Sequence, residues 1–126
     1  MKLHIDEIGR QEVVDDHLYD YDSDIEPEPW DPSEGDEVRQ RMEERKRAYE
    51  FGGWHMIGVR AAATTLWLDD DNIGVVGPNI TTPGIWGVES DAGEEYLDKL
   101  YREELGTLID MLKAMGFSDA DIKEKL

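Results

Sequence analysis

The sequence predicts an α+β fold: a small antiparallel sheet of about three strands, arranged as a meander, packed on a long C-terminal helix, with an acidic N-terminal extension and one additional helix. Three observations carry this. Leu97, Leu100, Tyr101, Leu105, Leu108, Met111, Leu112 and Met115 recur at three- and four-residue steps, the spacing of a helix with one apolar face. Residues 54–68 alternate, with His55, Ile57, Val59, Ala61, Ala63, Thr65 and Trp67 as one mostly apolar row. Turn-forming clusters, Asp69-Asp70-Asp71-Asn72 and Gly77-Pro78, then cut the following stretch into short strands.

Taken in order, residues 1–8 suit a short strand, Leu3 and Ile5 alternating with His4 and Asp6. Residues 36–50 predict a helix, capped by Ser33 or Asp36, carrying Glu37 in its first turn and stopped by Gly52-Gly53. Its apolar stripe, Val38, Met42 and Tyr49, is narrow. Arg39, Arg41, Arg45, Lys46 and Arg47 make it the basic stretch of the chain, able to neutralise acids within the molecule. Strands are expected over 54–68, 73–76 and 84–89, with Ile57, Val59 and Trp67 facing the Leu/Met stripe and Trp86 in the core. The long helix, 92–115, is expected to start at an Asp91 cap with Glu94 three residues on, and Gly106 to let it pack closely on the sheet. Gly116 in a left-handed cap, with Phe117 beside it, ends it, and Ser118 caps a last short helix. The organisation read from this is an extended or disordered acidic segment, 1–34, and a single α+β domain, 35–126.

Charge narrows the function. There are 31 acids against 13 bases, a formal net charge of -18, which opposes binding to duplex DNA and to anionic membranes. No apolar run is long enough to span a bilayer and no secretory leader is visible, so a cytoplasmic protein is expected. Cysteine is absent, which excludes disulfides and thiolate chemistry. The acids are uneven. Residues 1–34 hold 12 acids and 2 bases, and no Lys or Arg lies between Asp15 and Glu34. Within that block Asp20, Asp22, Asp24, Glu26 and Glu28 fall on alternate residues. In an extended chain they would share one face at roughly 6.6 Å spacing. Pro27 and Pro29 favour polyproline geometry, which would break that face, and a solvated linker or an edge strand with tyrosines inward are the other readings.

Little in the sequence demands catalysis. Ser90 between Glu89 and Asp91 has the form of a nucleophile, but His4, His17 and His55 are all remote in sequence. A structural role accounts for the same stretch, with Gly84 and Gly87 allowing close backbone approach and Ser90 or Asp91 as a helix cap. Asp20-Tyr21-Asp22-Ser23-Asp24 begins like a calcium loop, yet Ile25 and Asp31 stand where glycine and glutamate are required. Asp69-Asp70-Asp71 reads as a solvated turn. No metal or cofactor is expected.

The order of these segments resembles a family. An acidic N-terminal stretch, an arginine-rich helix ending in Ala48-Tyr49, Gly53-Trp54, Ile57-Gly58-Val59-Arg60-Ala61, and Ile85-Trp86-Gly87-Val88-Glu89-Ser90-Asp91 before a long acidic helix are similar to small uncharacterised proteins of bacteriophages and other mobile elements. Their Trp-Gly-Ile-Glu-Ser-Asp motif has Val88 for isoleucine here, and Thr82-Pro83-Gly84 replaces a serine-glycine pair. The resemblance implies no catalytic residues. It implies a setting in which small acidic proteins block host defence complexes. The expected function is therefore a non-enzymatic interaction protein that mimics nucleic acid and inhibits a CRISPR or restriction complex by docking on its basic surface. The expected partner-binding residues are Asp20, Asp22, Asp24, Glu26 and Glu28, with Glu94, Glu95, Asp98, Glu103 and Glu104 of the long helix. The alternatives are a small metal-binding or hydrolytic enzyme using Asp and His, or a structural protein whose charge serves only solubility; oligomeric state is left open.

Overall fold

The computed structural model describes residues 1–17, 19–25 and 35–126. Its axis is a 13-residue strand, β2 (Met56–Leu68). β1 (Lys2–Val14) lies antiparallel to it along nearly its whole length, from Lys2 opposite Leu68 to Val14 opposite Ile57. Asp6 is an extra residue in that ladder, a bulge between Ile5 and Glu7. On the other side of β2 three short strands follow one another: β3 (Gly74–Val76), β4 (Ile80–Thr81) and β5 (Ile85–Glu89). They pair with its C-terminal, middle and N-terminal thirds in turn, Val76 with Leu66, Ile80 with Ala63 and Val88 with Ile57. The five strands thus form three ribbons.

The third ribbon breaks at Gly77-Pro78 and Pro83-Gly84 because proline has no N–H to give the ladder. Threonine hydroxyls bond at the breaks instead. Thr82 Oγ1 accepts the Ala61 N–H at 3.1 Å, and Thr65 Oγ1 donates to the Pro78 carbonyl at 2.6 Å. The preceding turn is as expected from its composition. Asp69 Oδ1 accepts the N–H groups of Asp71 and Ile73, and Asn72 takes a left-handed conformation.

The long helix, α2 (Glu94–Ala114), packs on the row of β2 that alternation marked out. Ile57 and Val59 meet Leu97, Leu100 and Val88. Further along, Ala61 and Ala63 leave room for Leu108 and Leu112, which join Ile5, Ile80 and Ile122 in the largest cluster. The expected end of α2 is found. Gly116, at φ 101°, donates to the Lys113 carbonyl and Phe117 N–H to the Leu112 carbonyl, a paired closure that needs a residue tolerant of positive φ. Ser118 Oγ accepts the Asp121 N–H and opens α3 (Asp119–Glu124).

Several expectations are corrected. The N-terminal strand runs to Val14 rather than residue 8, because Ile8 and Val13 continue the pairing beyond the bulge. A boundary at residue 34 therefore cuts through the sheet: β1 supplies its longest ladder. Trp67 stays exposed and belongs to neither of the clusters that α2 forms with β2. Trp86 is not in the core but 46% exposed, lying across Gly58, where an added Cβ would sit 2.5 Å from the indole. Gly106 is on the outer side of α2 with open space around it and has no packing role. Neither α2 nor α1 (Asp36–Glu50) is capped by the expected side chain: glycines 93 and 35 hold the cap positions without side-chain bonds. Ser33 lies outside the described residues.

Leu108 touches both the sheet and α3's cluster and is fully buried. Leu108→Ala is expected to lower stability by about 2–5 kcal/mol, measured by urea unfolding; a loss under about 1 kcal/mol would mean that α2 does not pack as described.

Candidate functional site

The acidic segment meets the body at Trp54, which precedes β2 and is 3% exposed. Its indole N–H donates to the Arg45 carbonyl of α1 at 3.1 Å, and the Arg45 guanidinium lies 4.0 Å from its ring centroid. Tyr49 packs on the same indole at 4.8 Å and Tyr21 at 6.3 Å. With Met56 they form a third, separate cluster, to which Tyr19, Ile25 and Ala48 are packed. α1 buries no residue completely, and among the described contacts this aromatic packing and the ion pairs of Arg45 join it to the sheet.

Those ion pairs absorb the motif that leads into α2. Arg45 grips both Asp91 carboxylate oxygens at 3.0 Å and Glu89 Oε2 at 2.8 Å. The geometry keeps Arg45 charged and holds the Asp91 carboxyl below its ordinary value, the two-point hydrogen bond being the main cause. Asp91 therefore clamps α1 instead of capping α2. Ser90, between them, exchanges bonds with the backbone of His55: its Oγ accepts the His55 N–H at 3.0 Å, and its own N–H donates to the His55 carbonyl. It is neither a cap nor paired with a histidine ring. Gly84 and Gly87 both have positive φ.

Over its described residues 19–25 the acidic segment is not an extended ribbon. After β1 the chain turns at Asp15, whose carboxylate accepts the Tyr19 hydroxyl at 2.7 Å and the His17 N–H at 3.1 Å. These bonds hold the Asp15 carboxyl low, the tyrosine first, and raise the Tyr19 hydroxyl. The Tyr49 hydroxyl donates to the Tyr19 carbonyl at 3.1 Å. A single π-helical turn, Tyr21–Ile25, follows, with Tyr21 7% exposed and facing Trp54. Asp24 N–H donates to the Asp20 carbonyl, and the Asp24 carboxylate accepts the Asp20 N–H at 2.8 Å. An extended chain would hold these residues roughly 13 Å apart. Asp20 and Asp24 thus do not lie along an extended face, and Tyr21 beside them is buried. Glu26 and Glu28, and the Asp22 side chain, lie outside the described residues.

The five helix residues are also dispersed. Glu95 and Glu103 are exposed, but Lys99 and Arg102 stand among them. Glu94 bonds Arg10 of β1 at 2.7 Å, which holds its carboxyl low, and Asp98 pairs with Arg102 at 2.8 Å. Glu104 is 9% exposed and accepts the Thr82 hydroxyl at 3.2 Å, so it belongs to the sheet interface and offers nothing to a partner. Its position announced this: it falls four residues after Leu100 and four before Leu108, on the buried face. The spacing of Glu89 and Asp91, two apart in extended chain and so on one side, was the corresponding signal for a cation clamp.

His4, His17 and His55 are exposed and sit on separate segments. Among the described residues no three His, Asp or Glu are grouped to hold a metal ion, and no helix is long and apolar enough to cross a membrane. The chain matches no family model, no curated protein and no solved structure.

Because Asp91 titrates lower in the fold than in an unfolded chain, its pairing stabilises the protein above the ordinary 3.8 and that contribution is lost as pH falls through the folded value. Arg45→Ala is expected to cost about 1–2 kcal/mol at neutral pH, with the difference from wild type shrinking below about pH 4. Denaturant titrations at neutral and acid pH measure both; a deficit independent of pH would show that the clamp to Asp91 does not contribute.

Proposed function

We propose that this chain is a non-enzymatic interaction protein of phage or mobile-element origin, acting in the host cytoplasm as a nucleic-acid mimic on the basic surface of a defence complex of the CRISPR or restriction type. The observation that supports it is the pinned acidic turn. Tyr19 and Tyr21 bind the segment to α1 and Trp54, leaving Asp16, Asp20 and Asp24 exposed on its outside. Folding it into a turn concentrates charge that an extended ribbon would dilute, and anchoring lowers the ordering entropy that docking must offset. Arg45, the cation stacked on Trp54, is engaged by Glu89 and Asp91. The surface differs from the continuous ribbon that residue alternation suggests: Glu104 is removed from it, and Glu94 and Asp98 carry internal partners. Glu95 and Glu103 of α2 are exposed as well.

A second reading, charge for solubility, is favoured by exposed acids far from this turn, Asp70 and Asp71 in the β2–β3 turn and Asp119 and Asp121 in α3. One experiment separates the two. Tagged wild type and Asp16→Asn/Asp20→Asn are used to capture partners from host lysate at low and high salt, with identification by mass spectrometry. A nucleic-acid-binding complex retained at low salt is expected, weakened about tenfold by the substitutions, near 1.4 kcal/mol, with the fold intact by circular dichroism. Equal capture by both proteins would remove the turn from the mechanism and leave the charge to solubility.

A further inference from the structure

Among the described residues β1 pairs only with β2, so its outer edge presents backbone N–H and C=O groups that no strand satisfies. The register says which. Asp15 N–H donates to the Met56 carbonyl and Glu7 N–H to the Thr64 hydroxyl, both toward β2. Alternation then turns the amides of Gly9, Gln11 and Val13 inward and those of Ile8, Arg10, Glu12 and Val14 outward. The bulge at Asp6 limits this edge on one side and the turn at Asp15 on the other. Between them, residues 7–14 contain no proline and no further bulge, and the device left to blunt or direct pairing at this edge is the charge of Glu7, Arg10 and Glu12.

We propose that this edge is a self-association surface, on which two copies of the chain pair antiparallel through β1 about a two-fold axis, Arg10 of each opposite Glu12 of the other. An edge pair must bring outward-facing residues against outward-facing residues, which restricts the register to steps that keep this phase. The neighbouring step one way sets Arg10 against Arg10; the step the other way sets Glu12 against Glu12. The register between them opposes unlike charges twice and places Ile8 against Val14 twice, all on the face that α2 covers. Like charges directly opposite one another are destabilising, so the charge pattern selects this register. On the other face Gln11 meets Gln11 and Gly9 meets Val13. Val14, 59% exposed in the single chain, gains an apolar neighbour. Arg10 already bonds Glu94 at 2.7 Å and touches Glu12 at 3.4 Å, and its five donors leave capacity for the second copy's carboxylate. The contact is isologous and closes on itself, so it stops at two copies.

The net charge of -18 on each copy opposes this pairing. Salt screens that repulsion, so self-association is expected to strengthen as ionic strength rises, opposite in sign to capture of a basic partner. The test uses the full chain at increasing concentration in about 0.3 M salt, a Debye length near 6 Å, by sedimentation and by backbone hydrogen exchange. Wild type is expected to move from the 14.4 kDa monomer to twice that mass. The amides of Ile8, Arg10, Glu12 and Val14 are expected to become protected with concentration, while those of Gly9, Gln11 and Val13 are protected throughout. Arg10→Glu and Glu12→Arg should each weaken association at least tenfold with folding intact by circular dichroism, and the double exchange should restore it. A wild type that stays monomeric, single exchanges that associate as wild type does, or outward amides that gain no protection on association would each overturn the proposal. None of these results bears on the acidic turn, which lies past the end of this edge.

Discussion

The indole of Trp54 is the contact on which the functional exterior depends. It belongs to the chain entering β2, yet α1, the acidic turn and the start of α2 are all referred to it: α1 through the Arg45 carbonyl and Tyr49, the turn through Tyr21, and the approach to α2 through the Arg45 guanidinium that Glu89 and Asp91 hold. A helix with no fully buried residue has little hydrophobic reason to stay on a sheet. A cation stacked on tryptophan and fixed by two carboxylates supplies that reason, because each partner restricts the others and partial exclusion of water strengthens all three. The Trp-Gly-Val-Glu-Ser-Asp stretch, the most distinctive in the sequence, is explained by this construction: Trp86 roofs Gly58, Ser90 extends the ladder to His55, and its two acids close the clamp.

The rest of the fold is arranged around β2. It is the partner of every other strand, and its two faces have different tasks. One face, Ile57 to Ala63, takes α2, and the alanines set how closely Leu108 and Leu112 approach. The opposite face begins under the aromatic cluster and continues under Trp86. Breaking the third ribbon at two prolines sacrifices ladder bonds, which threonine hydroxyls partly replace. Glu104 joins one of these repairs, bonding Thr82 from the helix side. A buried acid here ties the helix to the weakest point of the sheet, which gives its place on an apolar stripe a physical purpose.

How much of this the sequence displayed depends on the range of the interaction concerned. Local rules identified α1 and α2, the closure at Gly116-Phe117, the Ser118 cap and the Asp69 turn, because periodicity and backbone chemistry act within a few residues. Contacts distant in sequence were hidden. Asp91 has the form of a cap three residues before Glu94, but a guanidinium 46 residues away binds it at two points. β1 looked short because Gly9, Arg10 and Gln11 carry no apolar alternation, and only pairing with β2 extends it. The acidic alternation from Asp20 is compatible with a strand face, tyrosines on the other side, because alternation alone does not reveal the distant Trp54 and Tyr49 that Tyr21 packs on. In the turn Tyr21 is 7% exposed, and burying its ring favours this conformation.

A protein of such charge would ordinarily let an acidic stretch extend into solvent, since like charges repel and nothing local condenses them. Here aromatic burial opposes that repulsion, with Tyr19 and Tyr49 adding hydrogen bonds at either side of the turn. Charge held in a fixed shape differs from charge on a tail, because it can match a partner's geometry as well as its sign. Whether the segment is held is a question of motion on the picosecond to nanosecond scale. Backbone amide relaxation of Tyr19, Asp20, Tyr21, Asp24 and Ile25 in the intact chain answers it most directly. Order parameters near 0.85, equal to those of β2, are expected if Trp54 and the tyrosines hold the turn, whereas values below about 0.6 would contradict it.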